Sequence, residues 1–102
     1  MVTLAIGKDE LAAFCQRWKI RELALFGSAL REDFRADSDL DVLVTFAEDA
    51  TWSLFDHFQM EQELAAKLGR DVDLVGRRAL DESANWIRRR EILRTARTIY
   101  GP

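Results

Sequence analysis

The sequence predicts a small α/β domain in which helices pack a mixed β-sheet. Three observations predict it. Apolar residues recur at three- and four-residue spacing in three segments, the mark of amphipathic helices. Short apolar or alternating runs lie between them and read as strands. The 102 residues, 48% hydrophobic and 32% charged, suit a single folded domain over 1–102.

Residues 8–18 predict the first helix, with Leu11, Phe14, Cys15 and Trp18 on one face. The apolar run 23–26 is stopped by Gly27 and reads as a buried strand. Residues 29–34 suit one or two helical turns. Residues 38–46 alternate, with Asp39, Asp41 and Leu43 on one side and Leu40, Val42, Val44 and Phe46 on the other, which predicts a second strand. Ser53 with Asp56 three residues on has the form of a capping box. The helix it opens would turn Leu54, Phe55, Phe58, Leu64 and Leu68 to the core and end at Gly69. Residues 72–75 predict a third strand. Trp86, Leu93, Ala96 and Tyr100 share one face of an expected last helix. The expected order is αβαβαβα, with the helices against one sheet.

Composition excludes several classes. The longest apolar run, 11–15, is far short of the roughly 20 residues that cross a membrane, and the first residues lack the pattern of a signal peptide. Cys15 is the single cysteine and can form no internal disulfide, which suits a reducing cytoplasm. The net charge of −3 divides unevenly. Residues 1–76 hold 8 Lys/Arg against 15 Asp/Glu, and residues 77–102 hold 7 Arg against 3 acids. An acidic body with a basic end suggests a carboxylate site in the body and a polar surface near the C-terminus, and the overall pI near 5.1 argues against direct nucleic-acid binding.

That site is expected between Leu23 and Phe46. Strand residues two apart point to one face, about 6.6–6.8 Å apart, so Asp39 and Asp41 would project together. Two like charges held so close call for a cation, and hard oxygen donors favour Mg²⁺. If the strand at 72–75 pairs beside this one, Asp73 adds a third carboxylate, the set that a two-metal phosphoryl-transfer site uses. Gly27 and Ser28 end a strand before a short helix. The bare backbone of Gly27, the Ser28 hydroxyl and the N–H groups that follow can receive phosphate oxygens.

At these residues the chain resembles the DNA polymerase β-like nucleotidyltransferase superfamily: Gly27 and Ser28, ten intervening residues, Asp39 and Asp41, then Asp73. It resembles more closely the minimal nucleotidyltransferases (MNT proteins), whose pattern GS-x-x-R-x-D-x-x-x-x-SD-x-D-x-x-V is matched by Gly27, Ser28, Arg31, Asp33, Ser38, Asp39, Asp41 and Val44. The segments SLFD, GRDVDLV and NWIRRREIL extend the likeness over most of the chain, the first twenty residues excepted. Glu32 stands where many relatives carry Gly, a change that removes no ligand.

The resemblance implies a polymerase β-like palm and an MntA-type antitoxin paired with a HEPN-domain ribonuclease toxin. Such an antitoxin transfers AMP from ATP to a tyrosine of the toxin. On this reading Asp39 and Asp41 hold two Mg²⁺ ions, and Asp73 holds the second beside the attacking oxygen. Gly27, Ser28 and Ser38 bind the nucleotide, and Arg31 steadies the leaving pyrophosphate. The alternatives are an antitoxin that works by contact alone and a small-molecule nucleotidyltransferase. The absent acceptor domain counts against the latter, and both homo- and hetero-oligomers are compatible with the sequence.

Other features have plainer readings. Asp37, Asp39, Asp41 and Glu48 have some of the spacing of a calcium loop, but Val42 stands where such a loop needs Gly. His57 is expected at the surface or partly packed, and Cys15 as a small core residue. Arg88, Arg89 and Arg90 cannot share one helix face, so at least one is expected to be structural or solvated.

Overall fold

A computed structural model describes residues 6–27 and 39–101. The elements are α1 (Lys8–Arg17), β1 (Ile20–Phe26), β2 (Leu40–Phe46), α2 (Leu54–Leu68), β3 (Val72–Gly76), α3 (Arg77–Asp81), α4 (Trp86–Thr95) and β4 (Arg97–Tyr100). The expected helical turns at 29–34 lie outside the described residues.

The strands form one sheet in the order β3-β2-β1-β4. β1 pairs antiparallel with both β2 and β4, whereas β2 and β3 run parallel. The parallel step follows from α2, which carries the chain back to the end where β2 began.

β1, β2 and β3 divide their side chains between two cores. Leu23, Leu25, Leu40, Val42, Val44, Val72 and Leu74 face α1 and α2, where they meet Leu11, Phe14, Cys15, Met60, Leu64 and Leu68. Ala24, Phe26 and Leu43 face the other way, against Leu80 of α3 and Ile92 of α4. Leu23, Leu40, Met60 and Leu64 are wholly buried, each stabilising the fold by about 1.5–3 kcal/mol.

Local signals place α1 and α2. Asp9 and Glu10 in the first turn of α1 and Arg17 in its last complement the helix dipole. In α2 the Asp56 N–H donates to Ser53 Oγ at 3.1 Å, and the Ser53 N–H donates back to Asp56 Oδ2 at 3.0 Å, the expected box. Gly69 closes the helix in the left-handed conformation, φ 69°. Glu63 ties the helices together by accepting from Trp18 Nε1 at 2.6 Å and pairing with Arg17. Trp52 donates its Nε1–H to the Trp18 carbonyl at 2.8 Å and meets the Trp18 ring edge-on, centroids 5.2 Å apart.

The structure corrects three expectations. The last helix stops at Thr95, and Tyr100 belongs to β4, where it pairs with Leu23. The inward residue of α4 is Ile92, while Trp86 and Leu93 are exposed. In α2, Leu54, Phe55 and Phe58 are exposed at 90%, 69% and 58%, and Met60 takes the core position beside Leu64 and Leu68. Leu54, Phe55 and Phe58 lie on a side of α2 rotated away from Met60, Leu64 and Leu68, whereas His57 and Glu61 of the same turns reach β3. Helix α3 is an addition to the expected order.

Candidate functional site

Alternation along β2 sends Leu40, Val42 and Val44 into the core beneath α1 and α2, so Asp41 projects from the opposite sheet face, as does Asp73 between Val72 and Leu74. Asp41 and Asp73 are direct partners in the parallel register. Neighbouring strands lie about 4.8 Å apart, so the two carboxylates stand side by side. Asp41 is partly buried and Asp73 exposed. Asp39 is exposed and directly precedes β2, whose first N–H, that of Leu40, already donates to the Asp71 carbonyl at 2.9 Å.

Gly27 completes this corner. Phe26 pairs with Asp41 across β1 and β2, and Gly27 follows with φ 66°. A Cβ there would stand 2.5 Å from Asp41 Oδ2. The backbone and the carboxylate are thus in direct apposition, a place that only glycine fills without displacement. Ser28, Arg31 and Ser38 lie outside the described residues.

The donor set suits a hard cation. Two adjacent carboxylates supply the oxygens that Mg²⁺ takes from a protein, its other positions going to water and phosphate. Among the described residues no three His, Cys, Asp or Glu side chains already converge on one point. Of the three expected carboxylates, the register brings Asp41 and Asp73 together, and Asp39 is exposed just before β2.

Two residues with no part in the expected site hold β3 in place. His57 Nε2 lies 2.7 Å from the Leu74 carbonyl, and Glu61 Oε2 accepts from the Leu74 N–H at 2.7 Å. A carbonyl only accepts, so His57 carries its proton on Nε2. Their i, i+4 spacing on α2 was the available signal, and it stayed silent because the sequence does not say which strand edge runs beneath the helix.

Other residues keep structural places. Arg89 Nη1 donates to the carbonyls of Asp81 and Ser83 at 3.2 and 3.0 Å, which makes it the structural member of the arginine trio. Cys15 is wholly buried, and burial pushes its thiol up to about 12. A cavity of about 800 Å³ opens beyond the far ends of β2 and β3, lined by Phe46, Trp52, His57 and Arg78 among others. It is separate from the carboxylate corner, which lies at the opposite ends of those strands.

Comparison with known proteins bears on the family and the fold. The chain is 42% identical over 65 residues to the protein adenylyltransferase MntA of Thermococcus cleftensis, a match covering 64% of each chain, so it spans just under two thirds of that relative's length. It superposes on a solved candidate minimal nucleotidyltransferase with a TM-score of 0.65 at 36% identity, covering 86% of this chain and 84% of the other. At 24% identity it shares its fold, TM-score 0.62, with a chain of the complex between a tri-AMPylated Shewanella oneidensis HEPN toxin and an MNT antitoxin, covering 92% and 69%. The family model of the nucleotidyltransferase domain matches residues 10–98. That span runs from the first turns of α1 into β4 and includes the whole carboxylate corner, and this chain belongs to the nucleotidyltransferase domain family.

Proposed function

We propose that this protein is a Mg²⁺-dependent protein adenylyltransferase, an antitoxin that moves AMP from ATP to a tyrosine hydroxyl of a HEPN ribonuclease toxin in the cytoplasm. One observation carries the reading: Asp41 and Asp73 stand in register beside a glycine whose missing side chain leaves room at the Asp41 carboxylate. A surface that only bound a partner would gain nothing from two carboxylates set side by side, since their repulsion opposes folding. The name of the Thermococcus relative and the AMPylated toxin in the Shewanella complex support the choice of AMP and of a protein acceptor.

In the reaction the tyrosine oxygen attacks the α-phosphorus of ATP. A new P–O bond forms, the α–β bridge breaks, pyrophosphate departs, and the tyrosine proton passes to solvent. Asp39, Asp41 and Asp73 would hold Mg²⁺, which when bound neutralises phosphate charge and eases loss of the hydroxyl proton. Gly27 and Ser28 receive the β- and γ-phosphates, Ser38 contacts the nucleotide, and Arg31 offsets charge on the leaving pyrophosphate. The acceptor is brought by the partner. The outer side of α4, with Trp86, Ile87 and Arg90 exposed, offers apolar and cationic surface for docking.

The test incubates the cognate toxin with ATP, Mg²⁺ and either the wild type or Asp73→Asn, then weighs the toxin. A mass increase in whole AMP units with wild type alone supports the enzyme. No adduct from wild type, with full neutralisation by Asp73→Asn, would establish an antitoxin that works by contact.

A further inference from the structure

We propose that Glu61 and His57 are positioning residues for Asp73: through Leu74 they fix where its carboxylate stands against Asp41, and thereby how tightly the corner holds a divalent cation. This rests on the metal-dependent reading above.

The argument begins at the sheet edge. Among the described residues β3 has a strand neighbour on one side only, so the other side of its backbone needs partners from elsewhere. Both come from α2 and both land on one residue, the one after Asp73. The Leu74 N–H belongs to the peptide plane that joins Asp73 to Leu74. Glu61, by accepting from it, sets the tilt of that plane and so the direction in which Asp73 leaves the strand. His57 holds the next plane through the Leu74 carbonyl. The Leu74 side chain is buried, 4% exposed, which anchors the same residue from a third direction.

Such a grip has a force to oppose. Asp41 and Asp73 repel when no cation lies between them. Asp41 stands on β2, hydrogen-bonded on both sides by β1 and β3, whereas Asp73 stands on the edge. Relaxation would therefore move β3. The Glu61 contact is a charge-assisted hydrogen bond, about twice as strong as a neutral one, and it keeps the edge strand in place before any ion arrives.

The experiment titrates the full-length protein with Mn²⁺ alone, following free Mn²⁺ by electron paramagnetic resonance. Urea denaturation of each variant runs in parallel. Glu61→Ala should bind Mn²⁺ about tenfold more weakly, with Glu61→Gln, which keeps an acceptor oxygen, restoring affinity to within about twofold. His57→Ala should weaken binding in the same direction. Leu11→Ala, destabilised on α1 far from β3, should bind as wild type does. Unchanged binding by Glu61→Ala, or equal weakening by Leu11→Ala, would overturn the positioning role while leaving the metal site standing. A wild type that binds no Mn²⁺ would overturn the metal-dependent reading and this proposal with it. If Glu61→Ala does not fold, wild-type affinity in His57→Ala would overturn the role, and weakened affinity would support it.

Discussion

The Gly27 backbone lies against the Asp41 carboxylate so closely that a Cβ at Gly27 would stand 2.5 Å from Asp41 Oδ2. Two constraints meet at this residue, a left-handed φ of 66° and the carboxylate contact. Gly69 has nearly the same φ, 69°, with nothing within 4 Å of the place a Cβ would take. Gly69 thus serves as the control that separates backbone strain from the contact.

Gly69→Ala and Gly27→Ala should each lose about 1–2 kcal/mol of stability in urea denaturation, the cost of a left-handed non-glycine residue. Only Gly27→Ala should also lose Mg²⁺-ATP binding, measured by calorimetry. Equal binding by the two variants would mean that the Asp41 contact has no bearing on the nucleotide.

Replacing Asp39 and Asp41 together with Asn should leave the fold intact, because neither belongs to the buried cores. The Asn pair should cost orders of magnitude in AMP transfer. Thermal melting with and without Mg²⁺ checks the first part: wild type should gain stability from the ion, and the variant should not.

Cys15 should resist modification in the folded protein. Its thiol is wholly buried and its pKa is raised by that burial to about 12. The thiolate that reacts is therefore scarce at pH 8, and reaction with a disulfide reagent should be slower than that of a free thiol by about a hundredfold or more. The sign for stability follows. The unfolded thiol ionises near about 8.5, so the folded state binds the extra proton between there and about 12. The contribution is fully present below the lower value and is lost as pH rises through the window. Urea midpoints should fall more steeply with pH in wild type than in Cys15→Ala.

The exposed and buried apolar residues of α2 should separate cleanly. Leu64→Ala should cost about 2–5 kcal/mol, whereas Phe55→Ser should stay within about 0.5 kcal/mol of wild type. Ser53→Ala lies between them, at about 1 kcal/mol, because it removes one half of the capping box. Chemical denaturation orders the three.

Where short-range chemistry decides, the sequence was legible. Ser53, Asp56 and Gly69 mark the ends of α2 by side-chain and backbone preferences that need no tertiary partner. Alternation in 40–46 marks β2 for the same reason, and the register of Asp41 with Asp73 required only that the strand at 72–75 pair beside it. What failed depended on distant neighbours. Trp86, Leu93, Ala96 and Tyr100 keep helical spacing, yet Tyr100 is taken by Leu23 of β1, a pairing across most of the chain. Leu54, Phe55 and Phe58 form an apolar stripe rotated about the helix from that of Met60, Leu64 and Leu68, and only the packing of α2 on the sheet decides which stripe is buried. Ser28, Arg31 and Ser38 lie outside the described residues, so their roles rest on the motif and the proposed chemistry.

The parallel junction between β2 and β3 makes the site sensitive to chain length. Helix α2, at 15 residues, spans about 22 Å, and β2, at 7 residues, spans about 23 Å. One is the return stroke of the other, and the match brings Asp73 back level with Asp41. Side chains in a strand alternate, so deleting one residue between Gly69 and Asp73 offers β3 two poor choices: keep its core face and slide Asp73 out of line, or keep the line and turn the carboxylate inward among Leu64 and Leu68. The turn before α2, around Glu48 and Ala50, has no such coupling. Length variation among natural homologues should therefore collect in that turn and spare the stretch from Gly69 to Asp73, a pattern that aligned sequences can confirm or refute.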